Sequence, residues 1–415
     1  MELINVGDKR VLYHNNGKEL VNVRTIVDIG SSHERHEMEF GSAHFLEHMF
    51  FQGTTKHTNK EIKRLGAKLG NQNAYTGSEK TVFHLSCVKD DFKEAADLIH
   101  EMLFYPLFSK ECFDTEKGVI LEEYQMYNDD PYSRFFEITE EEFFGKRGHN
   151  IIGRKKGLEG MTVENLMKFR TDFYRNKNVY FGVVGGMPRE EVVDYFEKLE
   201  LPENFLDLAE PKVLPPSVKN YNDFSFFNDS VQAVMCIIYN MTPKVWGQIK
   251  LKFVEDVFKN GLGGGMHSMF SDKFRDDLGY CYSTGVSSFD YSDEKALFGY
   301  IMLDKKNIGS AHEEMLKMTN KVKTEGFSED LLETAKKNLI YKLAKKVETS
   351  VGFAQSVMDP YTEDPRYLSF EETKGLIQTV TNEDIIEMAG NFFVEGKEKF
   401  VKMTNEEKYK PTEYD

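Results

Sequence analysis

The sequence predicts an α+β protein built from two similar domains that arose by duplication, each an antiparallel-rich sheet packed with helices. Three observations support this prediction. Segments rich in β-branched residues alternate with amphipathic helical patterns. One long helical segment recurs about 220 residues further along the chain. The 415 residues also exceed what one ordinary hydrophobic core accommodates.

In the first half, strand and helix patterns follow one another in a regular order. The predicted strands, which are rich in β-branched or continuous apolar residues, span 20–30, 81–88 and 178–186. The predicted helices span 91–103 and 108–127, and Ser109 is the expected N-cap of the second. This alternation is the basis for the mixed fold class.

A break in periodicity divides the chain near its middle. Residues 203–219 carry three of the eleven prolines and show no helix or strand pattern. We therefore expect an N-terminal domain at 1–205, a linker at 206–218 and a C-terminal domain at 219–415.

The clearest internal repeat matches "FSKECFDTEKGVILEE" (108–123) with "FSEDLLETAKKNLIYK" (327–342). This alignment places Glu116 opposite Ala335 and Glu123 opposite Lys342. A looser alignment pairs "HMFF" (48–51) with "SMFS" (268–271). It places His44, Glu47 and His48 opposite Gly264, His267 and Ser268. Groups that packing requires should occur in both copies, so the charged groups found only in the first copy indicate a site.

Composition excludes several classes of partner. The net charge of −16 disfavours duplex nucleic acid and anionic membranes, which require clustered lysine and arginine. No apolar run approaches the length of a membrane span, and the N-terminus lacks the pattern of a signal peptide. The scattered cysteines 87, 112, 236 and 281 form no CxxC pair and are typical of free thiols in a reducing compartment. We therefore expect a cytoplasmic protein.

The stretch "GSAHFLEHMFFQGT" (41–54) combines ionisable and apolar side chains in one predicted helix. His44 and His48 are four residues apart and so share a helical face, and Glu47 lies within about 100° of both. Two histidines with this spacing can chelate Zn²⁺, and the adjacent carboxylate can act as a base. The order HxxEH is the inverse of HExxH. The segment therefore predicts a metal site whose opposite helical side is buried.

Zinc requires a third protein ligand, and no further histidine or cysteine pattern supplies one. The predicted helix at 108–127 carries Glu116, Glu122 and Glu123. Glu116 and Glu123 share a helical face, while Glu122 is rotated by about 100° from Glu123. Spacing alone leaves both Glu122 and Glu123 open as the third ligand.

Five segments together resemble the pitrilysin and mitochondrial-processing-peptidase family of zinc peptidases, the inverzincins. They are "GSAHFLEHMFFQGT", "LGNQNAYTGSEKTVFHL", "TEKGVILEEYQMY", "MTVENLMKFRTDFYRNKNVYFGVVGGM" and "GLGGGMHSMFSDKFRDDLGYCYS". The resemblance covers nearly the whole chain. It is closest to the half-length bacterial type, which consists of one pair of domains.

The resemblance implies roles for individual residues. His44, His48 and Glu123 would bind one Zn²⁺ per chain, with Glu47 as the general base and Glu116 as a supporting carboxylate. The edge strand with Asn73 and Ala74 would pair with the substrate backbone. Arg275 and Tyr282 would hold the substrate near the scissile bond; without the resemblance, this pair would be interpreted as structural.

The implied function is a zinc metallopeptidase that hydrolyses short or unfolded peptides in a chamber closed by a second subunit. A homodimer is expected, with Arg275 and Tyr282 acting in trans. One alternative is a non-catalytic peptide-binding or scaffold subunit of a heterodimer. Another is different metal chemistry, as in the S-ribosylhomocysteine lyase that also uses HxxEH-type ligands.

Overall fold

The computed structural model of the chain describes residues 1–36, 39–205, 222–230, 232–240, 249–291 and 293–405. These residues form two compact units. The first unit comprises Met1–Asp129, the described part of Lys146–Pro215, and Lys345–Tyr367. The second unit comprises Asp130–Gly145, the described part of Pro216–Ala344, and the described part of Leu368–Asp415.

The first unit contains six strands among the described residues. They are β1 (Glu2–Val6), β2 (Lys9–Asn15), β3 (Leu20–Val27), β4 (Gly70–Thr76), β5 (Thr81–Val88) and β6 (Val179–Gly185). Its helices are α1 (Ser42–Phe50), α2 (Asn59–Leu69), α3 (Phe92–Phe104), α4 (Lys110–Asp129), α6 (Lys155–Gly160), α7 (Val163–Phe173), α8 (Arg189–Lys198) and α12 (Ser350–Phe353). Helix α5 (Pro131–Phe144) follows α4 in sequence but belongs to the second unit.

These six strands form one sheet in the order β1-β2-β6-β3-β5-β4. Only the β2–β6 pair is parallel, and the other neighbours are antiparallel. Strand β4 lies at one edge of this sheet. Helix α3 packs on β3 and β5, and its apolar side chains join those of the sheet in one buried core.

The second unit adds five strands to the described part of the chain. They are β7 (Phe224–Phe227), β8 (Ala233–Asn240), β9 (Thr284–Asp290), β10 (Lys295–Leu303) and β11 (Glu398–Thr404). Its helices besides α5 are α9 (Ile249–Gly263), α10 (Ile308–Glu325), α11 (Glu329–Val347), α13 (Phe370–Gln378) and α14 (Asn382–Phe392). A π-helical segment spans Ser271–Asp277. Helix α11 continues three residues past the boundary of this unit at Ala344.

The second sheet repeats the topology of the first without β1. The second sheet has the order β7-β11-β8-β10-β9, which corresponds to β2-β6-β3-β5-β4 in the first. The β7–β11 pair is parallel, like β2–β6, and the remaining pairs are antiparallel. The expected fold class of two similar α+β domains is therefore confirmed.

The units are not contiguous halves of the chain, which differs from the expected boundaries in two places. Asp130–Gly145, expected in the first domain, belongs to the second unit, and Lys345–Tyr367, expected in the second domain, belongs to the first. The reason is burial. Phe135, Phe143 and Phe144 lie in a core with β8, β10 and β11, and Phe353 packs with side chains of the first sheet. The expected linker at 206–218 lies outside the described residues.

The predicted elements of the first half are confirmed as β3, β5, β6, α3 and α4. Ser109 caps α4 as expected, because its hydroxyl accepts a hydrogen bond from the Cys112 amide at 3.2 Å. No helix in the described ranges is long and apolar enough to cross a membrane.

Candidate metal centre

Helix α1 is buried along two of its sides. Leu46 and Phe50 lie in the core beneath the sheet, while Phe45 and Met49 pack in a second core with residues of α4, α6 and α7. Phe45 stacks on Phe113 of α4 with ring centroids 4.9 Å apart. The two cores fix the rotation of α1, so the remaining side, with His44, Glu47 and His48, is aimed in a defined direction.

A buried carboxylate holds the start of α1. Glu34 accepts hydrogen bonds from the amides of Gly41 (2.7 Å) and Ala43 (2.8 Å). These are amides that a helix N-terminus leaves without an intrahelical partner. Burial raises the pKa of Glu34, and the hydrogen bond with His149 (2.7 Å) lowers it in part. Gly41 is required here, since its φ is +93° and an added Cβ would come within 2.2 Å of the Ile152 carbonyl oxygen.

Helix α4 presents a stripe of side chains to α1 at intervals of three and four residues. Phe113 and Ile120 are buried in the shared core, and Glu116 is buried beside them. Glu123 continues the stripe and is partly exposed, whereas Glu122 is exposed. The same packing that buries the apolar members therefore directs Glu116 and Glu123 toward α1.

Three ligand-type side chains converge between α1 and α4. Nε2 of His44 lies 3.8 Å from Oε2 of Glu123, and Nε2 of His48 lies 3.5 Å from the same oxygen. The ligand atoms of the three residues all lie within 4.8 Å of one another. Across the described ranges, this is the only group of three or more His, Cys, Asp or Glu residues placed to hold a metal ion.

The set fits tetrahedral zinc. Ligand bonds near 2.1 Å require neighbouring ligand atoms about 3.4 Å apart, close to the observed separations. Nδ1 of His48 is 2.8 Å from Oε1 of Glu116, which orients the ring and leaves Nε2 directed at Glu123. Gln52 donates a hydrogen bond to the other Glu116 oxygen. Nδ1 of His44 is buried and has no protein partner in the described part of the chain.

The pKa values of His44 and His48 shift in opposite directions. Burial, with His48 nearby, lowers the pKa of His44 to about 3, so its imidazole is neutral at pH 7. Burial acts to lower the pKa of His48 as well, but the hydrogen bond that its Nδ1 donates to Glu116 and the charges of Glu47, Glu116 and Glu123 raise it overall. The carboxylates that favour a proton on His48 equally favour a divalent cation at this place.

Glu47 is buried next to the histidines and faces strand β4. Burial raises its pKa, and the hydroxyl of Thr76, which donates to Oε2 at 2.7 Å, lowers it in part. Thr76 thus holds one oxygen of this carboxylate, and Oε1 is the other oxygen that can accept a proton. A carboxylate with a raised pKa is suited to general base chemistry near neutral pH.

The second unit contains a counterpart of the contact between α1 and α4. Its residues differ from those that the alignment of "HMFF" with "SMFS" predicted. Helix α9 stands between β8 and β9 as α1 stands between β3 and β4. Asn260 of α9 donates to the carbonyl oxygen of Ala335 (2.7 Å) and accepts from Nζ of Lys342 (2.9 Å). Because Ala335 and Lys342 align with Glu116 and Glu123, Asn260 corresponds to His48.

The same register pairs Asp256 with His44 and Lys259 with Glu47. The earlier alignment with Gly264, His267 and Ser268 is therefore wrong, because a four-residue match is too short to fix a register that helix order and contacts decide. Among its described residues, the second unit still lacks a counterpart of the ligand set.

The remaining predicted site residues fall into two pairs. Asn73 and Ala74 lie on β4, at the edge of the first sheet, and Asn73 Oδ1 accepts a hydrogen bond from the Ala74 amide (2.9 Å). Arg275 and Tyr282 lie together in the second unit, with the guanidinium carbon 5.4 Å from the ring centroid. Both are exposed, Tyr282 at 86%.

Sequence reasoning did not identify Glu34, Gln52, Thr76 and His149 as parts of this site. Glu34, Gln52 and Thr76 contact the start of α1, α4 and α1 over separations of 7, 64 and 29 residues. His149 contacts Glu34 over 115 residues. Of these four residues, only Thr76 could have been identified from the sequence, through its position in the "NAYT" strand.

Fold and site together define a zinc-peptidase architecture, and comparison with known proteins agrees. Residues 10–152 match the profile "Insulinase (Peptidase family M16)", and residues 160–339 match "Peptidase M16 inactive domain". The chain belongs to peptidase family M16, the pitrilysin family of zinc peptidases.

One relative is an uncharacterized zinc protease of Rickettsia felis, 27% identical over 380 residues that cover 90% of each chain. A solved protease of Helicobacter pylori superimposes with a TM-score of 0.86 at 17% identity, covering 97% of this chain and 99% of that one. The periplasmic protease PqqL of Escherichia coli gives a TM-score of 0.79 at 22% identity, with coverage of 97% of this chain and 47% of PqqL. The two structures establish likeness of fold.

Proposed function

We propose that the protein is a zinc-dependent endopeptidase that hydrolyses short or unfolded peptides. The observation that carries the proposal is the convergence of His44, His48 and Glu123 beside the buried carboxylate of Glu47. His44, His48 and Glu123 would hold one zinc ion per chain. When bound, zinc supplies Lewis acidity toward a water molecule and the peptide carbonyl.

Glu47 performs the proton transfers. Its Oε1 takes a proton from the attacking water while Thr76 holds Oε2, and it then delivers that proton to the leaving amine. Glu116 keeps Nδ1 of His48 engaged, so the imidazole presents Nε2 throughout.

The peptide pairs as an added strand at the edge of β4. Main-chain hydrogen bonds then provide most of the affinity, so the site accepts many sequences but requires an extended chain. The Asn73 side chain covers the Ala74 amide, a main-chain donor at this edge, until a peptide replaces it. Folded proteins, whose backbones are already paired, are therefore poor substrates.

The decisive experiment measures zinc content and cleavage of a quenched peptide before and after chelation. We expect one zinc per chain, chelator-sensitive cleavage, and restoration by added zinc. Glu47→Gln should retain zinc and lower kcat by about 10²- to 10⁴-fold. The exposed Glu122→Gln, on the same helix as Glu123, is the matched control and should match wild type. Zinc well below one per chain, with no chelator-sensitive cleavage, would remove the peptidase proposal.

A homodimer that encloses a chamber is the proposed assembly, with Arg275 and Tyr282 completing the site of the other chain. Their exposure and mutual contact in the second unit support a role toward a ligand or partner. Mixing Glu47→Gln with Arg275→Ala chains should restore activity. A mixture of Glu47→Gln with Glu123→Gln, both altered in the first unit, should not. Equal inactivity of the two mixtures contradicts a shared site.

The non-catalytic subunit has no specific observation in its favour, since every group of the ligand set and the base is present. A cytoplasmic location is part of our proposal, supported by four cysteines that are all free. Fractionation of the source cells tests the location. Recovery of the protein in the periplasm, where PqqL is found, would contradict it.

A further inference from the structure

A polar cluster is buried on the face of the first sheet opposite the metal centre. The Arg24 side chain on β3 is fully buried, and its guanidinium forms an ion pair with Oδ1 of Asp359. Arg24 Nε also donates to Asn22 Oδ1 at 2.9 Å. Asp359 belongs to the segment Lys345–Tyr367, which returns to the first unit from far along the chain and covers this face.

The second carboxylate oxygen of Asp359 binds the edge strand. The hydroxyl of Tyr75, on β4, donates a hydrogen bond to Oδ2 of Asp359. Lys80, in the turn between β4 and β5, donates from Nζ to the Asp359 carbonyl oxygen at 2.6 Å and pairs with Glu363. The cluster thus connects the edge strand β4 to β3 in the middle of the sheet through the carboxylate of Asp359, which is 284 residues from Tyr75 in sequence.

The protonation states favour these contacts at neutral pH. Burial and the Asp359 charge raise the pKa of Tyr75, which keeps its hydroxyl a donor. Burial, with Arg24 nearby, lowers the pKa of His84, opposite Arg24 on β5, to about 4, so His84 adds no competing charge. Arg24 and Asp359 therefore remain the principal charged pair.

Two consecutive residues fasten β4 on its two faces. Side chains alternate along a strand, so Tyr75 and Thr76 point to opposite sides of the sheet. Tyr75 reaches Asp359 on one side, and Thr76 donates to Glu47 on the other. An edge strand is paired along one side only, so such fastening limits its movement at the place where a peptide would add.

We propose that Tyr75 and Asp359 are positioning residues that hold β4 in the place where the substrate backbone pairs. The proposal rests on the proposed peptidase function. The tether acts on the strand and not on the ligands, because His44, His48 and Glu123 lie on α1 and α4. Loosening it therefore weakens peptide binding while zinc binding is retained.

The test is Tyr75→Phe, which removes one hydroxyl and keeps the ring. We expect KM for an extended peptide to rise about fivefold, the worth of one hydrogen bond, with kcat within about twofold and zinc content unchanged. Amide exchange in residues 70–76 should become faster. Asp359→Asn is a harsher variant, because it leaves the Arg24 charge buried without its partner and can prevent folding.

The matched control is Tyr13→Phe. Tyr13 is a buried tyrosine on β2 of the same sheet, and its hydroxyl donates to the Met187 carbonyl oxygen at 2.6 Å. Tyr13→Phe should lower the free energy of unfolding without changing KM or the rate of amide exchange in residues 70–76. An equal KM change in both variants would show that the Tyr75 effect is only loss of stability, and would overturn the proposal.

The exchange measurement separates this proposal from the peptidase function. If wild type cleaves and Tyr75→Phe leaves KM and exchange of β4 unchanged, the tether is overturned and the peptidase stands. If wild type does not cleave, the peptidase function fails, and with it the substrate role proposed for the tether. Faster exchange confined to 70–76 would then still establish that Tyr75 holds the strand.

Discussion

The two units share a strand order, apart from β1, and they differ in charge where α1 meets α4 and where α9 meets α11. In the first unit, His44, His48 and Glu123 converge there in an arrangement that could hold a metal ion. In the second unit, Lys342 replaces Glu123 and donates to Asn260 Oδ1 and the Gly264 carbonyl oxygen. The ammonium group of a lysine thus supplies the positive charge that the first unit would take from a metal.

A lysine also takes the position of Glu47, the proposed base. Lys259, at the position of Glu47, pairs with Glu255 at 2.9 Å. Burial lowers its pKa, but Glu255, Asp256 and Asp290 outweigh this and raise it to about 12. At this helix contact, the second unit places lysine ammonium groups against polar and acidic partners, where the first unit has the candidate metal ligands and Glu47.

The largest effect should come from removing Glu123, the proposed third ligand. Glu123→Gln should abolish zinc binding and all cleavage, because two histidines alone leave the site short of the three ligands that catalytic zinc requires. Metal analysis of purified protein with a peptide assay measures both. Glu122→Gln should retain full zinc, which decides the choice that spacing left open.

The second unit provides a further control for that result. Lys342→Glu should not create a second zinc site, because Asn260 and Lys259 remain where a histidine and the base would stand. A stoichiometry approaching two zinc ions per chain in this variant would contradict the comparison.

The second-largest effect should come from substituting Glu116. Its counterpart in the second unit, Ala335, has no carboxylate. Glu116→Gln should weaken zinc binding about 10- to 100-fold by loosening the orientation of His48, while the ligand set stays complete. Competition with a chromogenic chelator measures the affinity. Glu111→Gln, an exposed change on the same helix, should leave it unaltered.

Acid should destabilise the first unit before the second. Burial lowers the pKa of His33 and His84 to about 4 and that of His100 to about 3. At these three positions the unfolded chain, whose histidine pKa values lie near 6.5, therefore binds more protons than the folded one below that pH. The contribution of these histidines to stability falls as pH drops from about 6.5 toward 4.

Urea unfolding at pH 7 and pH 5, followed by hydrogen exchange in each unit, tests this order. Each histidine contributes at most about 1.4 kcal/mol per pH unit. His100→Gln should reduce the slope in the first unit, whereas His312→Gln, at a half-buried site in the second, should change it little. Earlier loss of the second unit would contradict the expectation.

The smallest effect should be the same in both units. Thr58 and Thr381 each cap a helix in a reciprocal pair, with Glu61 for α2 and Asp384 for α14. Thr58→Ala and Thr381→Ala should each cost about 1 kcal/mol of unfolding free energy, measured by urea titration. Markedly unequal costs would show that the two units use their helix caps differently.

Sequence patterns were sufficient where the information is local. The helix of His44 and His48, the cap at Ser109 and the strands at 20–30 and 81–88 all follow from periodicity and end signals. They were insufficient where the contact joins distant positions. Glu34 at the start of α1 and Asp359 behind β4 are single acidic residues in unremarkable surroundings, and only packing gives them a partner.

The register of the second copy shows the same limit. The match of "MF" pairs misplaced the counterpart of His48, because two apolar residues recur by chance in any core helix. Lys342 and Asn260 establish the correct register through a contact that spans 82 residues.

The segment Lys345–Tyr367 belongs to the first unit but follows most of the second unit in sequence, which affects folding during synthesis. Residues of this segment, Phe353, Ala354 and Met358, cover Leu12, Ile26 and Val82 on the outer face of the first sheet. A ribosome must therefore complete most of the second unit before the first can be closed. Until then the nascent chain exposes an apolar sheet face, so we infer that folding of the first unit finishes late and that chains truncated before residue 345 are prone to aggregate.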